Sequence, residues 1–205
     1  MKKTTTAIVI ALAGLLHSNA PAADIALSAG PGGITLQGTA IGKLTLPAPK
    51  LLVEDGSPKG EEGIMEVKDD KTLTVKFEKA AATITINAQD LSLTYALDPQ
   101  VGVKSLRVLM VIPLTFAEGG KFAFGGAALK PLPSTPGEQF LGQTGTTSFT
   151  LVNSAGAGIR LDTPDTFQEL ADTRVFNMPR FVYAVFLKAG TNDNKWTLKF
   201  GPAAP

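Results

Sequence analysis

Alternation of apolar and polar residues with period two is the strongest pattern along the chain. Leu73, Val75 and Phe77 alternate with Thr72, Thr74, Lys76 and Glu78; Ile84 and Ile86 with Thr83, Thr85 and Asn87; Leu91, Leu93, Tyr95 and Leu97 with Ser92, Thr94 and Ala96; Trp196, Leu198 and Phe200 with Lys195, Thr197 and Lys199. Successive side chains of a strand point to opposite faces, so each run predicts a half-buried antiparallel strand. Leu106 to Ile112, interrupted by Arg107, and Phe181 to Leu187 are apolar on both faces, which predicts central strands. Shorter strands are expected around Ile34 to Leu36, Leu44 to Leu46, Leu51 to Val53, Ile64 to Val67, Lys121 to Phe124, Thr147 to Val152 and Ile159 to Leu161.

Turn-forming clusters separate these runs: Glu54-Asp55-Gly56-Ser57-Pro58, Asp69-Asp70, Asn87 to Asp90, Asp98-Pro99 and Asn192-Asp193-Asn194. A spacing of roughly ten residues between turns suits an all-β, antiparallel β-sandwich. Two stretches depart from the alternation. Asp162, Asp165, Glu169 and Asp172 follow the i, i+3, i+7, i+10 spacing of one helix face, with Thr163 as N-cap and Pro164 at the first helical position. This predicts one short helix near 163–172 carrying an acidic stripe. Lys130 to Gly142, with Pro131, Pro133 and Pro136, predicts a long loop that either carries binding residues or covers a sheet edge.

The N-terminal stretch belongs to no such pattern. Lys2 and Lys3 precede an apolar run from Ala7 to Leu16 and a small, polar segment ending in Ala20-Pro21-Ala22. That order predicts a signal peptide over 1–22, too short in its apolar part to span a bilayer, and leaves 23–205 as one β-sandwich domain, exported to the periplasm or beyond the cell. A transmembrane barrel shares the alternation but needs aromatic girdles, whereas this chain has one Trp and two Tyr. There is no cysteine, so neither disulfides nor a lipidated cysteine contribute.

Charge and composition then narrow the chemistry. With 19 basic and 18 acidic residues the chain has no field suited to nucleic acid. The one histidine is His17, inside the predicted signal segment. The exported chain would therefore lack both His and Cys, which excludes Ser-His-Asp and Cys-His catalysis and zinc sites, and no metal or other cofactor is expected. Carboxylates, Tyr, Lys and Arg remain. Asp162, Asp165, Glu169 and Asp172 are the candidate ligand-binding residues, as calcium ligands or paired carboxylates; the competing reading is a solvated face balanced by Arg160 and Arg174. Asn192-Asp193-Asn194 lacks the ligand spacing of a calcium loop and reads as a turn. Trp196 could stack on a sugar ring, but its register with Leu198 and Phe200 assigns it to the core.

Tyr183-Ala184-Val185-Phe186-Leu187-Lys188-Ala189-Gly190 is similar, over about five residues, to the Tyr-Phe-Lys-Ala-Gly strand of a family of β-sandwich alginate lyases. The histidine and arginine-rich strand of that family have no counterpart here. The resemblance implies Tyr183 as a proton-transferring phenol, with Lys188 or Arg180 neutralising a uronate carboxylate.

Together these observations predict an exported, non-catalytic β-sandwich binding or scaffold module, associated with a polysaccharide or another secreted protein. One alternative is a carbohydrate-active enzyme, lyase or hydrolase-like, using Tyr, Arg, Lys or carboxylates. The other is a structural cell-surface subunit assembling through strand edges.

Overall fold

The computed structural model describes residues 24–203; the predicted signal segment, with His17, lies outside them. Sixteen strands form one continuous antiparallel hydrogen-bonded system. In chain order they are β1 (Ala26–Gly30), β2 (Gly33–Gly38), β3 (Gly42–Leu46), β4 (Lys50–Val53), β5 (Glu61–Glu62), β6 (Ile64–Val67), β7 (Thr72–Lys76), β8 (Ala80–Asn87), β9 (Ser92–Pro99), β10 (Val103–Pro113), β11 (Lys121–Phe124), β12 (Lys130–Pro131), β13 (Phe140–Val152), β14 (Gly158–Asp172), β15 (Arg180–Lys188) and β16 (Lys195–Pro202). One α-helical turn, Leu114–Ala117, and two 3₁₀ turns, Thr173–Phe176 and Asn192–Asn194, interrupt them. The all-β, antiparallel expectation holds, and the shorter strands expected from the sequence are all present. No helix among the described residues is long and apolar enough to cross a membrane.

The main path of paired strands runs β1-β2-β3-β10-β15-β14-β16-β9-β8-β7-β6. β15 lies between β10 and β14, with Val185 opposite both Val108 and Gln168, so both doubly apolar runs are interior strands as predicted. Leu106, Val108, Met110 and Ile112 of β10 and Phe181, Tyr183, Val185 and Leu187 of β15 point into the core. Of their alternate residues, Leu109, Val111, Val182 and Phe186 are only half-buried on the outer face, whereas Ala184 is fully covered.

The helix expected near 163–172 is not there: those residues belong to β14, a 15-residue strand. The helical spacing of its acids is a coincidence of two shorter patterns. Gln168, Leu170 and Asp172 turn inward and Glu169 turns out, but polar side chains occupy inward positions and hide the period of two. Nearly every backbone group of a core segment must find a partner, and here pairing with β13 on one side and β15 and β16 on the other supplies them.

β14 is also bent. Thr146 pairs with Thr166 and Ser148 with Asp162, so Thr163, Pro164 and Asp165 bulge out opposite the single residue Thr147. Pro164 has no N–H to donate, and a bulge is one of the few places in a sheet where that costs nothing. Beyond the bend the two halves of β14 have different neighbours: residues 168–172 pair with β15 and residues 159–162 with β16. β15 and β16 therefore part from each other where β14 turns.

A second corner lies at Gly63. β5 pairs with β4, while β6 pairs with β7, so the run 61–67 passes from one part of the sheet to the other. A Cβ at Gly63 would come within 2.3 Å of Val75 Cγ1 and 2.6 Å of Phe77 Cε1. Only glycine allows the backbone to pass so close.

The long loop after Lys130 is shorter than expected, since β12 and the start of β13 occupy its two ends. What remains is pinned: Arg174 donates to the carbonyls of Pro133 and Ser134 at 2.8 and 3.1 Å, and Leu132 is buried.

Candidate binding cleft

The parting of β15 and β16 opens a cleft of about 790 Å³. Its floor lies on the outer face of the sheet. Arg107, Phe186 and Phe167 stand in one row across β10, β15 and β14, because Arg107 is opposite Phe186 and Gln168 is opposite Val185. The Phe167 and Phe186 rings meet edge to face, 5.3 Å between centroids, and the Arg107 guanidinium lies over the Phe186 ring at 5.2 Å. Phe167 is 44% exposed. Ser105 and Lys188 form the next row. The rim carries Glu54 from the end of β4, Lys104 from β10, Asp165 from the β14 bulge, and Thr191 and Asn192 from the turn before β16. None of Glu54, Lys104, Asp165 and Lys188 is in an ion pair with another described residue. The cleft thus offers an aromatic surface ringed by uncommitted charges and hydrogen-bonding groups.

The residues singled out from the sequence do not converge. Asp162 sits on the surface and accepts from Arg160 Nε at 2.8 Å. Glu169 is buried beside Arg107, whose Nη2 donates to its Oε1, with Gln143 Nε2 3.4 Å from its other oxygen. Asp172 is fully buried and accepts from Arg174 Nε and Nη2 at 2.8 and 2.7 Å and from its backbone N–H at 3.0 Å. Burial alone would raise the Asp172 carboxyl, but the hydrogen bonds and charge of Arg174 outweigh it and hold the group below the usual carboxylate range. Three of the four acids are therefore matched one to one with arginines, Arg160 and Arg174 among them, but Glu169 and Asp172 are buried, so the face is not a solvated one. Only Asp165 faces the cleft. No group of three or more acids among the described residues is arranged to hold a metal ion.

Arg180 and Lys188 lie at opposite ends of β15, on the face away from Tyr183. The lyase resemblance implied a proton-transferring phenol at Tyr183; the structure places that side chain in the core. Its ring stacks on Phe149 at 4.0 Å, its hydroxyl donates to Gln168 Oε1, and 1% of it is exposed. Gln168 in turn donates to the Thr146 carbonyl at 2.7 Å and to Thr163 Oγ1 at 2.8 Å. This buried chain ties the core to the β14 bend and holds the cleft wall in place. Trp196 is buried, as its register implied, and only its edge reaches the cleft, with Nε1 3.4 Å from Thr191 Oγ1.

Burial raises the phenols of Tyr183 and Tyr95, the only two tyrosines, well above their ordinary value. A group neutral when folded and raised relative to the unfolded chain contributes stability below the unfolded pKa near 10 and loses it as pH rises. Tyrosinate absorbance in an alkaline titration should accordingly appear together with loss of the β-sheet circular dichroism signal. Ionisation of either phenol in a still-folded protein would contradict the sealed core.

Sequence reasoning missed Phe167 and Phe186, which line the cleft, and Arg107, which packs on Phe186 beside it. The charge of Arg107 inside an apolar run was the available signal for a structured ion pair on an outer face.

The chain matches no known protein-family profile and no curated protein. Among solved structures it is similar to the α-N-acetylgalactosaminidase NagBb from Bifidobacterium bifidum in complex with GalNAc, with a TM-score of 0.51 and 10% identity over 83% of this chain. It spans 33% of that chain, about a third of the glycosidase's length, and at this identity the likeness concerns the fold alone.

Proposed function

We propose that this protein is an exported, non-catalytic β-sandwich module that binds a carbohydrate chain in the cleft beside the β14 bend. The observation that carries the reading is the exposed Phe167 ring, propped edge-on by Phe186 and surrounded by Lys104, Lys188, Asp165, Glu54, Thr191 and Asn192. An apolar ring face next to hydrogen-bonding groups of both signs matches a pyranose, whose C–H face is apolar and whose rim is hydroxyls. The similarity in fold to a glycosidase that binds GalNAc supports a carbohydrate association without specifying the sugar. Export rests on the basic, apolar and small-residue order of residues 1–22.

The test uses protein recovered from the export compartment, whose mass first reports whether processing follows Ala22. Calorimetric titration with a panel of neutral and acidic soluble polysaccharides should give saturable binding to at least one. Phe167→Ala should weaken that binding by about tenfold, the scale of one aromatic contact, without lowering stability by more than about 1 kcal/mol. Binding unaffected by Phe167→Ala would remove the cleft from consideration. Release of reducing or unsaturated sugar ends during the titration would instead favour a carbohydrate-active enzyme.

A further inference from the structure

A second surface lies away from the cleft, at β6, where the path of paired strands ends. The Lys68 N–H donates to the Thr72 carbonyl at 2.9 Å, which sets the phase of the β6–β7 ladder. Counting back along the register, Glu66 and Ile64 bond to β7, while the N–H and C=O groups of Met65 and Val67 point outward from the sheet. Neither residue's backbone finds a partner among the other described residues outside that ladder. Met65 and Val67 also lie on the core face, opposite the fully buried Val75 and Leu73, yet Met65 is only half-buried and Val67 is 41% exposed. On the outer face Ile64 is 78% exposed. An open ladder and an uncovered strip of core thus coincide on the same two residues, at a kind of edge that proteins normally blunt with charge, proline or a covering segment.

The surroundings specify what fits. Residues 55–70 hold six acidic and two basic side chains in a chain of net charge +1. Glu66 pairs with Lys68 and Glu62 with Lys50, both at 2.8 Å, but Asp55, Asp69 and Asp70 have no ion-pair partner among the described residues. A second copy of this chain is a poor match, because the register that covers both Met65 and Val67 sets Glu66 against Glu66 and Glu62 against Asp70. We infer that β6 is a docking edge for an extended segment of a partner protein, one that alternates apolar residues over Met65 and Val67 and carries lysine or arginine at its ends. The segment would add as an antiparallel strand, with main-chain bonds supplying affinity and the flanking charges supplying selection.

The probe is the peptide Lys-Val-Thr-Val-Thr-Val-Lys, with Glu-Val-Thr-Val-Thr-Val-Glu as its control, titrated into the isotopically labelled protein and followed by amide NMR. The expected result is that the Met65 and Val67 amides move and become protected from exchange, with the basic peptide binding at least tenfold more tightly. Glu66→Lys with Asp70→Lys should reverse that preference. Val67→Pro removes an outward N–H without breaking a bond to β7, so it should abolish binding while leaving the circular dichroism spectrum unchanged. The proposal is overturned if the Met65 and Val67 amides do not respond, if the acidic peptide binds as well, if Val67→Pro binds undiminished, or if the protein dimerises through β6.

Discussion

Val185→Asp is expected to leave little folded protein at room temperature. Val185 is 1% exposed at the middle of β15, flanked by Val108 on β10 and Gln168 on β14. The new carboxylate would have no donor: both amide hydrogens of Gln168 are already given to the Thr146 carbonyl and Thr163 Oγ1. An unpaired charge at such a site costs several kcal/mol and the lost valine adds about 1 kcal/mol. Whole domains are stable by only about 5–15 kcal/mol. Denaturant titration should show the transition lost or moved by more than about 4 kcal/mol, whereas Val182→Asp, on the half-buried outer face, should cost far less. Comparable losses at the two positions would mean that the outer face of β15 is as dry as the core.

The second large effect is expected at Asp172, where removing one charge strands another. Its partner Arg174 also holds the Pro133 and Ser134 carbonyls and lies over the Phe181 ring at 4.5 Å, so the guanidinium cannot readily swing into water. Asp172→Ala should therefore destabilise by roughly 3–5 kcal/mol, the range for breaking a buried pair from one side. Asp172→Ala combined with Arg174→Leu should recover part of that loss, because no charge is then left unpaired. The pH dependence follows from the same pair. A carboxyl held below its ordinary value by Arg174 contributes stability above the unfolded pKa near 4 and loses it as pH falls through the lower folded value. The wild type should lose stability on the acid side more steeply than Asp172→Ala does. Parallel acid limbs in denaturant titrations between pH 5 and about 2 would show that Asp172 is not the group responsible.

Both effects trace to β14, which also accounts for the cleft. A long strand shared between two sets of neighbours must bend, and the bend at Thr163-Pro164-Asp165 separates β15 from β16. The buried Tyr183–Gln168–Thr163 chain braces the bend from inside, and Asp165 and Phe167 flank it on the solvent side. The same geometry that carries stability thus sets the binding surface.

What the amino-acid order determined by itself is the all-β class and the identity of the interior strands. Alternation along β7, β8, β9 and β16, and the doubly apolar runs of β10 and β15, are local properties: a strand's two faces can be read without knowing its neighbours. The burial of Trp196 was legible for the same reason. Tertiary structure alone decided the rest. The acids of 162–172 could be read as a helix because their order mimics its spacing; Arg174 lies two residues from Asp172, but nothing local records that Glu169 meets Arg107, sixty-two positions away. Tyr183 had a chemical role only through the lyase resemblance, and nothing local records that Phe149 and Gln168 close over its phenol. The cleft was invisible for a more general reason. It is a gap between β15 and β16, made by where each stops pairing with β14, and pairing limits between distant segments are set by the packing of the whole sheet rather than by any residue in the gap.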